Sequence, residues 1–403
     1  MGSSATDDKA TSDKATANGP PAPAPAPATK ATANGPPASP KFPIASWDVQ
    51  YIIQQSNGPF LFQQSPWKLL CRDLRYTAST FWQLPDIFLP LSDTGGDIRL
   101  TGIIAQVLML VISLVLAVLI VLGALGVAPL LLVLAVLATV VFVRVASALQ
   151  GASTRQSKAD VPSAVNADKE KWLFVNGICT TGSGAQSNVD RLQTLFHRPV
   201  TAVLNRSLGM LFDLGECILQ RDYRLITQDI RVGYFALRDA VLDPKLERVV
   251  LIGHSQGGII VTAMIDQLLA EFPHHVLKKV EIYTFASAAN HICDPSGGTP
   301  DSPPPFGHIE HFANQGDWVS QFGVLGHAPL PPGDTPNIIA EEEKDGEVAT
   351  FPMTDGEFAG RIFERLNHTG HLLNSHYNSI LDNPVVRKYS RLATYLDGGN
   401  PVP

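Results

Sequence analysis

The sequence predicts an α/β fold, a mostly parallel sheet with helices on both faces, in the second half of a 403-residue chain. Three observations lead there. From Lys171 onward, short runs of branched and aromatic residues alternate with segments of helical period, the pattern of buried parallel strands joined by crossover helices. Between Thr101 and Val143 no residue is charged and nearly every position is Leu, Val, Ile or Ala, which sets that stretch apart from the globular part. Residues 1–44 are almost wholly Ala, Pro, Thr, Lys, Asp, Asn, Ser and Gly, too polar and too repetitive to belong to either.

The string KATANGPPA begins at Lys14 and again at Lys30. Such a segment buries too little apolar surface to offset its ordering entropy, so a disordered tail is expected over 1–44. Residues 45–100 are rich in aromatics (Trp47, Tyr51, Trp67, Trp82) and interrupted by prolines. Two readings stay open for them: a juxtamembrane segment in the headgroup layer, or a small satellite packed on the globular half.

A helix of about 20 residues crosses the hydrocarbon layer, so the apolar run is long enough for two crossings. GALGVAP, from Gly123 to Pro129, supplies a break near its middle. A transmembrane helical hairpin is expected over 101–147, with arms near 102–122 and 128–145; a single tilted span or a one-leaflet wedge is the competing reading. No basic region with a short apolar core precedes it, so the hairpin is expected to stay in the mature protein rather than be cleaved as a signal peptide. Lys68, Arg72, Arg75 and Arg99 lie before it and Arg144, Arg155 and Lys158 after it, while the connecting loop carries no charge. By the positive-inside rule both flanks face the cytosol; the membrane expected is the endoplasmic reticulum or a lipid-droplet surface, although no feature of the sequence selects the organelle. A polar linker is expected over 148–169.

The globular part, 170–398, reads as follows. KWLFV (171–175) is a strand, followed by a Thr/Gly/Ser loop and a helix carrying Val189, Leu192, Leu195 and Phe196. VTAVL (200–204) is the next strand, and 208–240 has helical spacing broken by Gly215 and Gly233. A third strand over 249–252 leads into a helix over 256–272, ended by Pro273. Further strands are expected at 280–285, 309–313 and 361–365. In such sheets ligands bind beyond the carboxyl ends of the strands.

At the junction of the third strand and its helix stands GHSQGG, with Ser255 between Gly253 and Gly257. In a chain with 32 glycines, G-x-S-x-G alone is a weak signal. Its position strengthens it, because a sharp strand-to-helix turn holds a serine hydroxyl clear of the sheet, and the crowding of that turn demands glycines two residues away. The helix N-terminus beside it favours developing negative charge.

With FVNG ahead of it, this motif resembles the lipase and esterase branch of the α/β-hydrolase superfamily, and most of all fungal-type membrane-associated serine hydrolases. The likeness covers about 170–395. It implies a serine, acid, histidine triad in that chain order and no cofactor or metal. The serine is Ser255. The acid is Asp317, in IEHFANQGDWV, with Asp294 as competitor one strand earlier. The base is His371, from the Gly370-His371 pair in LNHTGHLLNSHY, with His376 in reserve and His368 as a loop residue. The oxyanion donors are the backbone N–H groups of Ile178 and Gln256; Asn176 stands where such enzymes carry a histidine. His254 and His291 read as structural hydrogen bonders.

Other classes recede. A net charge of −7 without a basic, aromatic-interleaved stripe argues against nucleic acid. Cys71, Cys179, Cys217 and Cys293 show no zinc-ligand spacing and suit a reduced compartment, with an isolated disulfide left open. The loop over 293–307 and the acidic stretch over 340–347 are insertions that serve as lids or as solvated linkers. The expected function is hydrolysis of a carboxylic ester of a lipid-like substrate at a membrane. The alternatives are an acyltransferase using the same residues and a non-catalytic lipid- or partner-binding protein.

Overall fold

The computed structural model describes residues 49–56, 65–89, 97, 100–127, 129–295, 303–327, 353–355 and 357–401. The expected disordered tail and the acidic stretch lie outside them. The strands are β1 (Val49–Ser56), β2 (Thr154–Gln156), β3 (Glu170–Val175), β4 (Val200–Val203), β5 (Arg248–His254), β6 (Val280–Phe285), β7 (His308–Asn314), β8 (Met353–Asp355) and β9 (Gly360–Arg365). They form one sheet in the order β2-β4-β3-β5-β6-β7-β9-β1-β8. From β4 to β9 every neighbour is parallel; β2 and β1 add antiparallel strands at either side.

The main helices are α1 (Pro66–Thr80), α2 (Leu100–Ala124), α3 (Pro129–Leu149), α4 (Gly182–Phe196), α5 (Met210–Tyr223), α6 (Gln228–Leu242) and α7 (Gln256–Glu271). Alternation along the strands sorts the core into two layers. Leu173, Val175, Leu251 and Ile282 pack with α6 and α7 on one face. Trp172, Phe174, Val250, Ile252 and Tyr283 pack with α4 and the C-terminal segment on the other. In-register Phe285, Phe312 and Phe363 stack across three parallel strands at centroid distances of 4.8 and 5.2 Å. Both faces are therefore dry, which is why these strands read as continuous apolar runs.

Three boundaries differ from the sequence reading. The helical stretch after β4 is interrupted between Tyr223 and Gln228, where Arg224 turns left-handed at φ 53°. Gly215 and Gly233 sit inside α5 and α6 instead; a Cβ on Gly233 would meet Met264 Sδ at 2.7 Å, so this glycine serves helix packing. The expected linker contains β2, paired with β4. The aromatic segment contributes β1 to the sheet and α1 to the core. Tyr76 packs on Trp318 (5.7 Å) and Phe322 (6.0 Å), and buried Asp73 pairs with Arg221 at 3.4 Å. Residues 65–89 are thus a packed satellite, yet Trp67, Phe81 and Trp82 remain more than 60% exposed.

The hairpin arms hold two helices long and apolar enough to cross a membrane, Ile104–Ala124 and Pro129–Ala146, with 17% and 6% of their most apolar windows buried. They approach closely at the tip, where a Cβ on Gly123 would meet Leu132 Cβ at 2.5 Å. Their base is fixed to the globular part. Gln106 Nε2 donates to Ser207 Oγ (2.8 Å) and to the Cys179 carbonyl (3.2 Å), and Gln150 Nε2 donates to the Ser207 carbonyl (2.5 Å).

Candidate active site

Ser255 links β5 to α7 at φ 61°, ψ −126°, a conformation that costs a non-glycine residue of order 1–3 kcal/mol and persists only where the surroundings impose it. The surroundings do so through three hydrogen bonds. Ser255 N–H donates to the Phe285 carbonyl (3.0 Å), and its own carbonyl accepts from Gly258 N–H (2.9 Å) and Ala288 N–H (3.1 Å). The flanking glycines are needed for space rather than for their dihedrals. A Cβ on Gly253 would lie 2.9 Å from the Gly257 carbonyl oxygen, and one on Gly257 2.2 Å from that of Val175. Gly258 is equally constrained, since its Cβ would meet Ser287 Oγ at 2.2 Å.

Asp317 follows β7 and His371 follows β9, so both arrive at the carboxyl edge of the sheet beside the end of β5. His371 Nδ1 lies 3.0 and 3.1 Å from the two carboxylate oxygens of Asp317. Asp317 is fully enclosed and accepts further bonds from Tyr377 Oη (2.6 Å), Val319 N–H (2.9 Å) and Ser320 Oγ (3.2 Å). Burial pushes its pKa up, but the adjacent His371 and these donors outweigh burial and hold it below the usual carboxylate value. Tyr377, the last residue of LNHTGHLLNSHY, thus holds the carboxylate as well as packing on the sheet.

The competing residues have other partners. Asp294 accepts from Phe306 N–H (3.0 Å), and burial raises its pKa to about 6. His376 Nδ1 accepts from Leu372 N–H (3.0 Å) within a π-helical turn, Leu373–Tyr377. His368 Nδ1 bonds the Leu366 carbonyl. His254 lies against His371 with ring centroids 4.8 Å apart, and its Nε2 donates to the His371 carbonyl (2.8 Å). Burial lowers the His254 pKa to about 3, so it is a neutral brace for His371.

The loop after β3 is held by side chains on both sides. Asn176 exchanges bonds with Asn205, Nδ2 donating to the carbonyl (2.9 Å) and Oδ1 accepting from N–H (3.0 Å). Cys179 N–H donates to Asp213 Oδ2 (2.9 Å). Gly177 is pressed against the serine, where a Cβ would come 2.4 Å from Ser255 Cβ. The Gln256 side chain is fixed by Asn205 Nδ2 (2.6 Å) and Gln220 (2.8 Å). Neither Ile178 N–H nor Gln256 N–H has a hydrogen-bond partner among the described residues. Asn176 therefore serves loop geometry, and its side chain takes up neither of these two backbone N–H groups.

Ser255 and His371 line one cavity of about 10 Å³, room for about one water, together with Ile178, Asp97, Ile87 and Phe88. No hydrogen bond joins Ser255 Oγ to the His371 imidazole among the described residues, although both line this cavity. Asp97 had no sequence signal, standing in a polar, glycine-rich stretch. It is 4% exposed and accepts from Asn374 N–H at 2.9 and 3.1 Å, while Asn188, with its amide turned to donate, reaches it at 2.8 Å.

Burial raises the Asp97 pKa from 3.8 to about 6, against the opposing pull of its N–H donors and His371. The native state thus binds this proton more tightly than the unfolded chain. The stability it confers is complete below about pH 4 and lost as pH rises through 6, up to about 3 kcal/mol in all. Asp97→Asn is therefore expected to melt higher than wild type at pH 8 and close to it at pH 4. A melting difference that is the same at both pH values would refute the assignment.

All four cysteines are free. Among the described residues, Asp266, His291 and Cys293 place three potential metal-ligand atoms within 4.8 Å of one another, a grouping assembled from α7 and the segment after β6 that sequence spacing could not reveal. His291 Nε2 already faces Asp266 Oδ2 at 3.1 Å, and none of the three lines the Ser255 cavity. Neither a protein-family model nor a curated protein matches the chain.

Proposed function

We propose that the chain is a membrane-anchored serine hydrolase of the α/β-hydrolase type that cleaves carboxylic esters of lipid-like substrates through an acyl-enzyme. The observation that carries this reading is the strained Ser255 turn opening on a histidine whose far nitrogen is held by an enclosed carboxylate. His371 Nε2 takes the Ser255 proton as the oxygen attacks the ester carbonyl, and Asp317 keeps Nδ1 protonated and stabilises the imidazolium. The N–H groups of Ile178 and Gln256 receive the oxyanion, each of order 10²–10³ in rate in comparable sites. His371 then protonates the leaving alcohol, and water, activated by the same imidazole, releases the acid.

Ile87 and Phe88 cover the cavity and must move for an ester to enter. Exposed Phe81 and Trp82 continue from the same segment, so a lipid surface that takes up these rings would draw the cover aside. The hairpin, spanning the bilayer with both flanks cytosolic, keeps this edge of the domain beside its substrate.

Two measurements test the reading. A fluorophosphonate probe is expected to label the wild-type protein and not Ser255→Ala; absence of wild-type labelling in detergent or with lipid present would refute a reactive serine. Deleting 102–145 is expected to release the protein from membranes under carbonate extraction, and its recovery in the pellet would refute anchoring by the hairpin.

A further inference from the structure

We propose that the junction between the hairpin and the globular domain binds one anionic glycerophospholipid, at a site separate from the Ser255 cavity. Two cavities of about 500 Å³ each meet there. The first is walled by Leu108, Met109 and Ile112 of α2 and by Phe142 and Val145 of α3, the domain-proximal ends of both candidate spans. The second is a polar cleft carrying Arg155, Lys158 and Arg191. Arg155 and Ser183 line both, so the apolar chamber and the cationic cleft adjoin at these two residues.

The arrangement has the polarity of a phospholipid in the same leaflet. With the hairpin in a bilayer, its base lies at headgroup depth and its arms run toward the bilayer centre. Acyl chains would follow Leu108, Ile112 and Val145 inward, leaving the phosphate at the domain. There the Arg155 guanidinium packs over the first residue of α4, where a Cβ on Gly182 would come 2.5 Å from Arg155 Nη2. A helix N-terminus and a guanidinium both favour a phosphate. One carboxylate is present, Asp190, and its Oδ1 is occupied by Lys158 N–H (2.5 Å) and Gln186 Nε2 (3.0 Å). Three cations against it leave the cleft positive.

Two enclosed polar atoms on the cavity walls lack partners. Arg155 Nε is an unpaired donor and Gln106 Oε1 an unpaired acceptor. They offer a bound molecule one donor and one acceptor side by side with the cations. A phosphate oxygen satisfies the first, and the hydroxyl of a glycerol or similar headgroup satisfies the second. Through Gln106, which donates to the Cys179 carbonyl, the occupant would steady the loop that carries Ile178.

The inference rests on the hairpin residing in a bilayer, which carbonate extraction of the wild type reports independently. The test uses full-length protein purified from mixed micelles of phosphatidylcholine and phosphatidylglycerol at 9:1, with retained lipid quantified by mass spectrometry. About one phosphatidylglycerol per chain is expected, enriched at least tenfold over the micelle ratio, and Ser255→Ala should retain it equally. Arg155→Gln combined with Lys158→Gln and Arg191→Gln should abolish the enrichment, and Ile112→Trp should expel the lipid by filling the chamber, with thermal melts establishing that both variants are folded. Enrichment that survives the triple substitution, full displacement by millimolar inorganic phosphate, or loss in Ser255→Ala would each overturn the proposal.

Discussion

Asp317→Asn is expected to lower kcat/KM for a soluble short-chain ester by about four orders of magnitude, roughly 5.5 kcal/mol of transition-state stabilisation, while leaving the fold intact. The size of the effect follows from what the carboxylate accepts. Oδ1 takes Val319 N–H and Oδ2 takes the Tyr377 hydroxyl, with His371 Nδ1 between them. An amide offers only one acceptor oxygen. Val319 N–H cannot reverse its polarity, so the amide oxygen must take the Oδ1 place and the NH₂ group the other. That NH₂ then donates toward His371 Nδ1, which loses its proton to Nε2, the nitrogen that must receive the Ser255 proton. Catalysis fails through the wrong tautomer, with the pocket still formed. Asp294→Asn, remote from His371, is expected to leave the rate unchanged. A loss below tenfold in Asp317→Asn, or an equal loss in Asp294→Asn, would transfer the acid role elsewhere.

Elements whose residues are buried on both faces were legible in the sequence because burial writes itself into consecutive positions. VVLI within β5 and VEIYTF of β6 could be placed to within two residues. The Ser255 turn was legible because its sterics restrict residue type at fixed spacing, and the structure places Ser255, Asp317 and His371 at one edge of one sheet. The missing parts depend on long-range pairing. TRQ of β2 has no apolar period, since its burial alternates at the sheet edge, and only β4 makes it a strand. β1 pairs with a strand some three hundred residues later, which no local pattern encodes. Asp97 is the clearest failure. A lone aspartate among glycines and polar residues reads as a turn, and only the assembled fold turns it toward Asn374 and the serine cavity.

At the end of the sheet opposite the site, Arg198→Met is expected to cost about 3–5 kcal/mol. Arg198 is wholly enclosed at the amino ends of the strands. Its Nε donates to Glu170 Oε2 (2.6 Å), Nη1 to the Phe196 carbonyl (2.8 Å) and Nη2 to the Gly399 carbonyl (2.8 Å) and Asn400 Oδ1 (2.5 Å). Its guanidinium also lies 4.8 Å from the Tyr395 ring centroid and 5.6 Å from that of Trp172. One side chain therefore ties β3 to the last turn of the chain. Methionine fills much of the volume but leaves the Phe196, Tyr395 and Gly399 carbonyls and Asn400 Oδ1 without that donor and reduces the cationic partners of Glu170 to Arg248 (3.0 Å). The desolvation already imposed on the carboxylate is then only partly offset, which is why the loss exceeds that of a hydrogen bond alone. Arg387→Met removes the same charge from an exposed pair with Asp382, whose side chains are 48% and 71% exposed, and should cost no more than about 1 kcal/mol because solvent screens it. Denaturant unfolding of the two variants measures the contrast directly. Equal losses would mean that enclosure of Arg198 contributes nothing, whereas reduced stability of Arg198→Met with unchanged fluorophosphonate labelling of its folded fraction would separate the stabilising end of the sheet from the reactive one.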